Sequence, residues 1–539
     1  MTFTAPQAWI AHDPDPATAA ELASCSAEEL ARRFAHPLTF GTAGLRGPLR
    51  GGPDGMNLAV VLRTTWALAQ ILKDRCLGGS PVVVGRDARH GSEEFARAAA
   101  EVLAAEGFPV TFLCAPAPTP VVAFAVRRLG AAAGVQITAS HNPPQDNGYK
   151  VFVDGGLQII SPTDREIESA ISRAPDADEI TRVPVESAGT DLIAAYLERV
   201  ATVRRGSGGV RVALTPMHGV GGEFALDALA LAGIDDVHTV DAQFAPDPDF
   251  PTVAFPNPEE PGATDLLLAL AAEVDADVAI ALDPDADRCA VGVPTGRRGE
   301  RSDGTAANWR MLTGDETGWL LGDYILSTLS DASSALVAST VVSSRMLAAI
   351  AAGYGARHAE TPTGFKWLAR ATLPGSALVY AYEEAIGHCV DPDAVRDKDG
   401  ISAAVLICDL VAALRSRGST LLDALDDLAR RHGVHLTAGV SRRVEDAGRA
   451  MAALRANPPA TLADIAVIVE DLGQRRDRQR TDALVFTGDG IRVVVRPSGT
   501  EPKLKSYIEV RSAPTDDLGA ARAAAQRLCA ELMDAAARW

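Results

Sequence analysis

The chain has 539 residues, of which 47% are hydrophobic and 22% are charged, and its formal net charge is −19. This length is too great for one ordinary hydrophobic core, so we expect three or four domains. The acidic balance argues against a nucleic-acid partner, because nucleic acids bind basic surfaces. An anionic ligand would therefore need a locally basic pocket.

The cysteines and the hydropathy pattern exclude further classes. The seven cysteines are far apart and include no C-x-x-C pair, so neither a zinc site nor a disulfide framework is indicated. Reduced thiols in a cytoplasm are the simplest interpretation. The first residues, MTFTAPQAWIAHDPDP, lack the basic and apolar regions of a signal peptide. Without a charge-free run of about 20 apolar residues, we expect no membrane span.

Three segments are each typical of a buried strand, a polar or glycine-rich loop and an amphipathic helix: 81–107, 210–233 and 334–355. Further strand patterns follow as PVTFLC, VHTV and ARHAET. Alternation of strands and helices favours parallel α/β sheets. The threefold recurrence predicts three related α/β domains in tandem.

The last hundred residues have a different pattern. IRVVVRPSGTEPKLKSYIEVRS is typical of two strands around a loop, and DDLGAARAAAQRLCAELMDAAARW of a closing helix. We therefore predict an α/β protein in which three α/β domains with mixed sheets precede a smaller C-terminal α+β domain. The predicted domains are 1–205, 206–312, 313–440 and 441–539.

Two stretches in the first predicted domain carry candidate chemistry. FGTAGLRGPLRGG, with Arg46 and Arg50, is either a flexible turn with surface arginines or a cluster of hydrogen-bond donors for a phosphoryl group. In ITASHNPPQDNGYKV, Ser140 lies in a turn that the following prolines restrict. It is not in a nucleophile elbow, since G-x-S-x-G is absent. Ser140 is either structural or a nucleophile activated by His141, Lys150 or a distant metal loop.

The second predicted domain contains a run of carboxylates. In ADVAIALDPDADRCAV an apolar strand ends in Asp283, Asp285 and Asp287. Neighbouring carboxylates repel one another unless a cation lies among them, and all-oxygen ligands favour Mg²⁺. The spacing fits neither an EF-hand nor the usual aspartyl-phosphate phosphatase motif, and a solvated acidic turn is the alternative. Upstream, TPMHGVGGEF lacks the third glycine of a dinucleotide-binding loop, so we predict no NAD site.

The third predicted domain contains two candidate ligand-binding turns. ETPTGFKW places Thr363 and Lys366 around Gly364, and this turn is either structural or ligand-binding. YAYEEAIGHCVDPDAVRDKDG has two adjacent glutamates, of which Glu383 is the first. Adjacent side chains on an extended segment point to opposite faces, so at most one faces a ligand, where it would bind sugar hydroxyls. His388 is either structural or part of this site.

The C-terminal domain contains a strand that runs into a loop of small, hydroxylated and basic residues, RVVVRPSGTEPKLKSY. Such a loop exposes backbone N–H groups, which suits a phosphate bound without a metal. A solvated Ser-Gly turn is the alternative, and the Walker sequence is absent. The candidate phosphate ligands are Arg496, Ser498, Gly499, Thr500 and Lys503.

Together, these motifs resemble those of the α-D-phosphohexomutase superfamily. TASHNP resembles its phosphoserine loop, DPDADR its metal loop, YEEAIGH its sugar-recognition loop and RPSGTEP its phosphate-binding loop, in the family's order. GTAGLRG, QDNGYKV, TPTGFKW and RDKDG are most similar to the phosphoglucomutase-2 or phosphopentomutase branch. The resemblance implies three related α/β domains and a smaller fourth domain around a central cleft.

The resemblance also implies roles for individual residues. Ser140 would carry a phosphoryl group and would complete a Mg²⁺ site with the three aspartates. Lys150 and Arg46 would lie beside the transferring phosphoryl group, supported by His141 and Arg288. The implied substrate ligands are Glu383 for the sugar, Arg496, Ser498, Gly499 and Thr500 for the unreactive phosphate, and Thr363, Gly364, Lys366, His388 and Lys503.

The implied activity is that of a phosphosugar mutase. Phospho-Ser140 would phosphorylate a sugar monophosphate, and the resulting sugar bisphosphate would turn around and return its other phosphate. The first hypothesis is interconversion of glucose 1-phosphate and glucose 6-phosphate, with mannose phosphates also considered. The alternatives are a phosphopentomutase, acting on ribose or deoxyribose 1- and 5-phosphates, and a sugar-bisphosphate synthase. Mg²⁺, phosphoserine and a bisphosphate activator are the expected cofactors, in a monomer or homodimer.

Two features of the sugar-recognition loop leave the identity of the sugar open. The sugar loop departs from the family's usual GEES or GEMS, because Tyr382 replaces the glycine and Ala385 replaces the serine that would donate to the sugar. His388 also lies one residue further from Glu383 than in GEMSGH.

Two hypotheses come from other classes of protein. The first is a metal-dependent phosphatase, which would not need the second phosphate loop. A non-catalytic phosphosugar-binding protein would not need Ser140 together with the aspartates.

Overall fold

The computed structural model of the chain describes residues 5–41, 44–296, 308–477, 479–498 and 503–539. The chain divides into two compact units. The first unit comprises Met1–Met311 and Gly387–Ala412, and the second unit comprises Leu312–Ile386 and Ala413–Trp539.

The first unit opens with a seven-stranded sheet and its helices. Its elements are α1 (Pro6–Ala11), α2 (Pro16–Ser24), α3 (Ala27–Ala35), β1 (Leu45–Pro48), α4 (Leu58–Asp74), β2 (Val82–Arg86), α5 (Ser92–Ala105), β3 (Val110–Leu113), α6 (Thr119–Leu129), β4 (Ala133–Ile137), β5 (Asp146–Val153), β6 (Leu157–Gln158), α7 (Thr163–Ile171), β7 (Ser187–Ala188) and α8 (Thr190–Ala201). The strand order is β1-β5-β4-β2-β3-β7, with β6 beside β5. The strands β4, β2, β3 and β7 are parallel, whereas β5 and β1 are antiparallel to their neighbours. The wholly buried β4 is typical of a parallel strand covered on both faces.

A second sheet follows in the same unit. Its elements are β8 (Val212–Thr215), α9 (Gly221–Leu231), β9 (Val237–Thr239), α10 (Asp241–Phe244), α11 (Asp265–Glu273), β10 (Val278–Leu282), β11 (Cys289–Pro294) and β12 (Trp309–Met311). The order is β12-β11-β10-β8-β9, with β10, β8 and β9 parallel and β11 and β12 antiparallel. The buried β10 delivers the aspartate loop at its carboxyl end, where parallel sheets place ligands.

The second unit begins with a third α/β region. Its elements are α12 (Gly314–Ser327), β13 (Ala335–Thr340), α13 (Met346–Gly353), β14 (Arg357–Thr361), α14 (Phe365–Leu368) and β15 (Ala377–Glu383). The strand β13 lies between β14 and β15 and is parallel to both. The chain continues with β16 (Gly387–Cys389), α15 (Gly400–Arg415) and α16 (Leu421–His432).

The C-terminal part of the second unit is an antiparallel sheet covered by helices. Its elements are β17 (His435–Arg443), α17 (Ala447–Ala456), β18 (Thr461–Leu462), β19 (Ile465–Ala466), β20 (Ile468–Asp471), β21 (Leu484–Gly488), β22 (Ile491–Pro497), β23 (Lys503–Arg511) and α18 (Leu518–Ala536). The sheet order is β17-β23-β22-β21-β20. Met451 of α17 and Leu532 of α18 share one core with Phe486 and Ile508 of the sheet.

The predicted fold class is confirmed. The segments 81–107, 210–233 and 334–355 contain β2 with α5, β8 with α9, and β13 with α13, each as strand, loop and helix. The final segment forms β22, β23 and α18 as predicted. The domain boundaries stay predictions. Among the described residues, no helix is both long enough and apolar enough to cross a membrane.

A buried acidic side chain in the second unit gives the fold a pH dependence. Asp315 in α12 accepts hydrogen bonds from the Tyr382 hydroxyl at 2.8 Å and the Ser344 N–H at 2.9 Å. Burial raises the pKa of Asp315 to about 7, whereas an unfolded aspartate titrates near ~3.9. The folded state therefore binds more protons between these values, and stability falls as pH rises through this window.

We expect Asp315→Asn to flatten this decline, since asparagine keeps the accepting oxygen and cannot ionise. The difference in free energy of unfolding between about pH 5 and pH 8 should shrink by roughly 2–3 kcal/mol relative to wild type. Urea denaturation at both pH values measures it. Asp331→Asn, at an exposed position of the same unit, is the control. Identical pH dependence in wild type and Asp315→Asn would show that Asp315 does not titrate in this window.

Candidate active site

The three aspartates predicted as metal ligands form a buried cluster after β10. Asp283, Asp285 and Asp287 are at most 1% exposed, and one carboxylate oxygen of each lies within 4.8 Å of the others. Ala286, between them, has a φ of 51°. Non-glycine residues rarely adopt this left-handed conformation, and such strain is typical of functional loops.

The structure brings Ser140 to this cluster. Ser140 follows β4, is 1% exposed and also has a left-handed φ, of 53°. Its N–H donates to Thr138 Oγ1 at 2.9 Å, and its hydroxyl donates to Asp283 Oδ2 at 2.6 Å. The loops that follow β4 and β10 therefore meet, as expected for the carboxyl ends of strands in neighbouring α/β sheets.

Basic side chains surround the aspartates. Lys150 on β5 places Nζ 2.6 Å from Asp285 Oδ2 and 2.8 Å from Asp287 Oδ2. Although burial opposes it, Lys150 holds the pKa of Asp285 well below its usual range. Burial, together with the charges of Asp285 and Asp287, raises the pKa of Asp283. Arg288 donates its N–H to Asp283 Oδ1 at 3.0 Å, and its Nε lies 3.7 Å from Asp287 Oδ1.

The donor set fits a divalent cation. Within the described part of the chain, Asp285 Oδ1 and Asp287 Oδ1 are buried and have no hydrogen-bond partner. A buried carboxylate oxygen without a partner is costly, and a hard cation satisfies it. The all-oxygen ligands agree with Mg²⁺ or a similar ion. The cluster can therefore hold a divalent metal.

Arg46 and His141 lie on the same side of the site. Arg46 on β1 donates from Nη1 to Asn142 Oδ1 at 2.9 Å, two residues after Ser140. Burial, with the nearby charges of Arg288 and Arg46, lowers the pKa of His141 well below its usual value. The His141 ring is therefore neutral beside two cationic side chains.

Sequence reasoning missed Arg89, which holds the serine loop. The buried Arg89 donates to the carbonyls of Ser140 at 2.6 Å, Asn142 at 2.6 Å and Pro143 at 2.8 Å. Its Nε lies 3.5 Å from Asp87 Oδ2. The signal was present as GRDAR, a charged stretch directly after the buried strand β2.

Lys398 and Thr119 were also missed. Lys398 Nζ lies 3.2 Å from Asp287 Oδ2 and 3.6 Å from Asp397 Oδ1, and Gln158 Nε2 donates to Asp397 at 2.5 Å. The Thr119 hydroxyl donates to the carboxylate of Asp285. RDKDG was interpreted in the sequence only as a motif that is similar to one branch of the family, and its lysine was assigned no role. The sequence around Thr119 contains no pattern that indicates a site.

The glycines of TPMHGVGGEF serve the aspartate loop. A Cβ on Gly219 would lie 2.3 Å from Pro284 Cα and 2.4 Å from Pro284 O, distances that no side chain tolerates. The neighbouring Val220 N–H donates to Pro284 O at 2.9 Å. This turn therefore packs directly on the loop that carries the aspartates.

The two glutamates of the sugar loop and the 360–367 turn lie in the second unit. Glu383 ends β15 and is buried, while Glu384 accepts from the hydroxyls of Thr340 at 3.1 Å and Ser343 at 3.3 Å. The Tyr382 hydroxyl is bonded to Asp315 as described above. The 360–367 turn, between β14 and α14, contains Thr363, Gly364 and Lys366.

The predicted phosphate loop also lies in the second unit, except for two residues. Arg496 is near the end of β22, and the Ser498 N–H donates to Lys503 O at 2.8 Å, which joins the end of β22 to the start of β23. Gly499 and Thr500 lie outside the described residues. His388 belongs to the first unit and is entirely buried, and burial lowers its pKa to about 3. The sugar contact of His388 stays a prediction.

Four family models match consecutive parts of the chain. They are the phosphoglucomutase/phosphomannomutase α/β/α domains I, II and III, at residues 37–178, 193–296 and 313–432, and the C-terminal domain at residues 434–526. The chain belongs to the phosphoglucomutase/phosphomannomutase family. The resemblance to the α-D-phosphohexomutase superfamily is thereby confirmed.

Individual members of the phosphoglucomutase/phosphomannomutase family are similar along nearly their whole length. A "probable phosphomannomutase" of Haemophilus influenzae is 41% identical, over 86% of this chain and 94% of that protein. A phosphopentomutase of Mus musculus is 34% identical, over 94% of this chain and 90% of that protein. A family protein of Burkholderia thailandensis has the same fold, with a TM-score of 0.69 and 22% identity over 93% of this chain and 97% of its own.

Proposed function

We propose that this family member is a phosphosugar mutase that interconverts glucose 1-phosphate and glucose 6-phosphate, with mannose phosphates as further substrates, through phospho-Ser140. The observation that carries the proposal is the Ser140 hydroxyl, 2.6 Å from Asp283 in a buried cluster of three carboxylates. A serine so placed among carboxylates and cations is suited to carry a phosphoryl group, because its surroundings can hold a metal ion and stabilise phosphoryl oxygens.

Asp283, Asp285, Asp287 and an oxygen of phospho-Ser140 would hold Mg²⁺. When bound, the ion neutralises negative charge on the phosphoryl oxygens. Lys150 and Arg46 stabilise the same oxygens from the protein side, and Lys398 adds a third cation at Asp287. His141, Arg288 and Arg89 hold this arrangement in place.

Each half-reaction exchanges one oxygen–phosphorus bond for another. In the first, a free sugar hydroxyl attacks the phosphorus of phospho-Ser140, the bond to Ser140 Oγ breaks, and the sugar proton passes through a basic group of the site to the Ser140 oxygen. In the second, Ser140 Oγ attacks the other phosphate of the bisphosphate, the bond from that phosphorus to the sugar oxygen breaks, and the serine proton passes by the same route to the product hydroxyl. A sugar bisphosphate is thus the intermediate, and it would also re-phosphorylate an idle enzyme.

This cycle needs a second phosphate site, and the candidate residues for it lie in the second unit. Arg496, Ser498 and Lys503, with Gly499 and Thr500, would bind the phosphate that is not reacting. Glu383 would bind the sugar hydroxyls, and the turn of Thr363, Gly364 and Lys366 would help to orient the sugar. A hydrolase has no use for a second phosphate site of this kind, so its presence favours a mutase over a phosphatase.

A phosphopentomutase is the second candidate, and the sugar loop favours it. Of the two departures from the usual loop, Tyr382 is buried and bonds Asp315, so only Ala385 bears on the sugar. Alanine lacks the hydroxyl that would donate to a hexose. The 34% identical relative named as a phosphopentomutase agrees with this candidate.

A substrate panel separates the two candidates. We would measure kcat/KM for glucose, mannose and ribose 1-phosphates, each with its matching bisphosphate as activator. The hexose proposal predicts that glucose 1-phosphate exceeds ribose 1-phosphate by roughly tenfold or more, because substrate contacts discriminate to this degree. The reverse order would establish the pentose candidate. Inorganic phosphate as the main product would support a phosphatase.

Gly219→Ala tests whether the aspartate loop must keep its place. The added methyl group would displace Pro284, so we expect turnover to fall roughly tenfold or more and more Mg²⁺ to be needed for half-maximal activity, with about 1–3 kcal/mol lost in stability. Gly209→Ala is the control, since a Cβ there meets no atom within 4 Å. Unchanged kcat and an unchanged Mg²⁺ requirement in Gly219→Ala would show that the close packing of Gly219 against Pro284 is not needed for catalysis.

A further inference from the structure

A cavity of about 90 Å³ lies in the first unit, and none of its lining residues belongs to the candidate active site. Its wall is mainly apolar and includes Trp9, Leu38, Leu45 and Val60. A wholly apolar cavity of this size would need no further explanation. The feature that calls for one is the basic side chain in its wall, Arg63.

Arg63 on α4 is a buried cation that interacts favourably with the charge of Asp176 but forms no salt bridge in the described ranges. Its residue is 8% exposed, and its Nη2 donates to Ile171 O at 3.3 Å. Its guanidinium carbon lies 5.6 Å from the centre of the Trp9 ring. Within the described ranges, no carboxylate lies at ion-pair distance from Arg63, and burial lowers its pKa. A buried guanidinium with one long hydrogen bond retains several donors for an anion.

Two other polar residues, Thr64 and Glu168, line the cavity wall. Thr64 is 1% exposed, and its hydroxyl has no hydrogen-bond partner in the described part of the chain. Glu168 is partly exposed, and its Oε1 accepts from the Phe40 N–H at 2.7 Å. The acidic group of the wall is thus partly exposed and already hydrogen-bonded, whereas the cation is buried and forms no salt bridge in the described ranges. The cavity therefore favours a ligand with one negative charge and no positive charge.

We infer that this cavity binds a short-chain monocarboxylate, with its carboxylate on Arg63 and its hydrocarbon part against the apolar wall. A guanidinium binds carboxylates through paired, charge-assisted hydrogen bonds. The volume is smaller than the ~150 Å³ of a cavity that holds benzene, so chains of about three or four carbons fit. The Thr64 hydroxyl is available for an oxygen substituent beside the carboxylate. This inference does not depend on the proposed function.

The cavity lies next in sequence to a residue of the candidate active site, so a bound ligand would affect catalysis through that residue. Leu45 in its wall directly precedes Arg46, which bonds Asn142 of the serine loop at 2.9 Å. An occupied cavity would restrain Leu38, which precedes the glycine-rich stretch, and Leu45, which lies within it. The experiment measures binding in the cavity and not its effect on turnover.

The probe is propionate, with propionamide as an uncharged molecule of the same shape. At constant ionic strength, [1-¹³C]propionate added to the full-length wild-type protein should show a broadened carboxylate signal and should raise Tm, whereas propionamide should do neither. Arg63→Met should weaken propionate binding at least about tenfold, since a charge-assisted pair is lost. Folding of the variant is checked by circular dichroism.

Two results would overturn the inference. One is the absence of propionate binding to the wild type, or equal binding of propionamide, and this comparison needs no variant. The other is binding that Arg46→Ala abolishes and Arg63→Met leaves intact, because the ion would then occupy the candidate active site. Retained binding in Arg46→Ala with loss in a folded Arg63→Met supports the cavity.

Discussion

Ser140→Ala should lower mutase turnover by roughly 10³-fold or more and should remove the phosphate that we propose the wild-type protein carries. The expected loss is large because the variant has no atom that can accept and return the phosphoryl group, and deletion of a covalent nucleophile has effects of this order. The buried site has a hydrogen bond at 2.6 Å from Ser140 to Asp283, so alanine removes that contact as well. Conversion of glucose 1-phosphate to glucose 6-phosphate, with intact-mass analysis of the same samples, measures both effects.

The matched control is Ser402→Ala. Ser402 is a buried serine of the same unit whose hydroxyl donates to Asp399 O at 3.2 Å, and it does not contact the aspartate cluster in the described structure. We expect Ser402→Ala to keep its phosphate and most of its activity. Full turnover in Ser140→Ala would rule out Ser140 as the phosphoryl carrier.

Removal of the divalent metal should abolish turnover, and Asp287→Asn should raise the Mg²⁺ concentration for half-maximal activity by roughly tenfold or more. Asp287 Oδ1 is buried without a hydrogen-bond partner in the described chain, so it is available as a ligand. The amide has a weaker, neutral oxygen and also weakens the contacts with Lys150 and Lys398. Activity is measured after chelation and during titration with Mg²⁺.

Asp391→Asn provides the comparison for the metal experiment. Asp391 pairs with Arg199 at 2.7 Å, away from the aspartate cluster in sequence and in its contacts. Its variant should need the same Mg²⁺ concentration as wild type. Full turnover of the wild-type protein after exhaustive chelation would contradict the proposed metal site.

The sequence predicted the local elements because their causes are local. Strand, loop and helix follow from the alternation of apolar and polar residues, so β2 with α5 and β8 with α9 were found within their segments. The antiparallel edge strands of the α/β sheets were harder to assign, since strand order depends on long-range pairing. The strand β1, for example, pairs with β5, about 100 residues later, at Arg46 and Gly148.

The candidate site was predictable where a motif repeats a known pattern, and not elsewhere. Ser140 alone had two interpretations, and its contact with Asp283, 143 residues away, followed only from the resemblance between motifs. Lys398 lies in an irregular loop without periodicity, so its contact with Asp287 could not be inferred from spacing. Arg89 has a backbone-holding role that depends on the path of the serine loop. In the sequence, Tyr382 was interpreted as a change in the sugar-recognition loop. In the structure its side chain is buried and its hydroxyl donates to Asp315, so the residue serves packing.

One single-turnover experiment tests the phosphoryl-carrier mechanism most directly. Protein labelled with radioactive phosphate at Ser140 is mixed with glucose 6-phosphate, and the products are followed over time. The proposal predicts that the label moves from Ser140 into a glucose bisphosphate and then into glucose monophosphates, with little inorganic phosphate. A label that stays on the protein, or that leaves mainly as inorganic phosphate, would contradict the mutase mechanism.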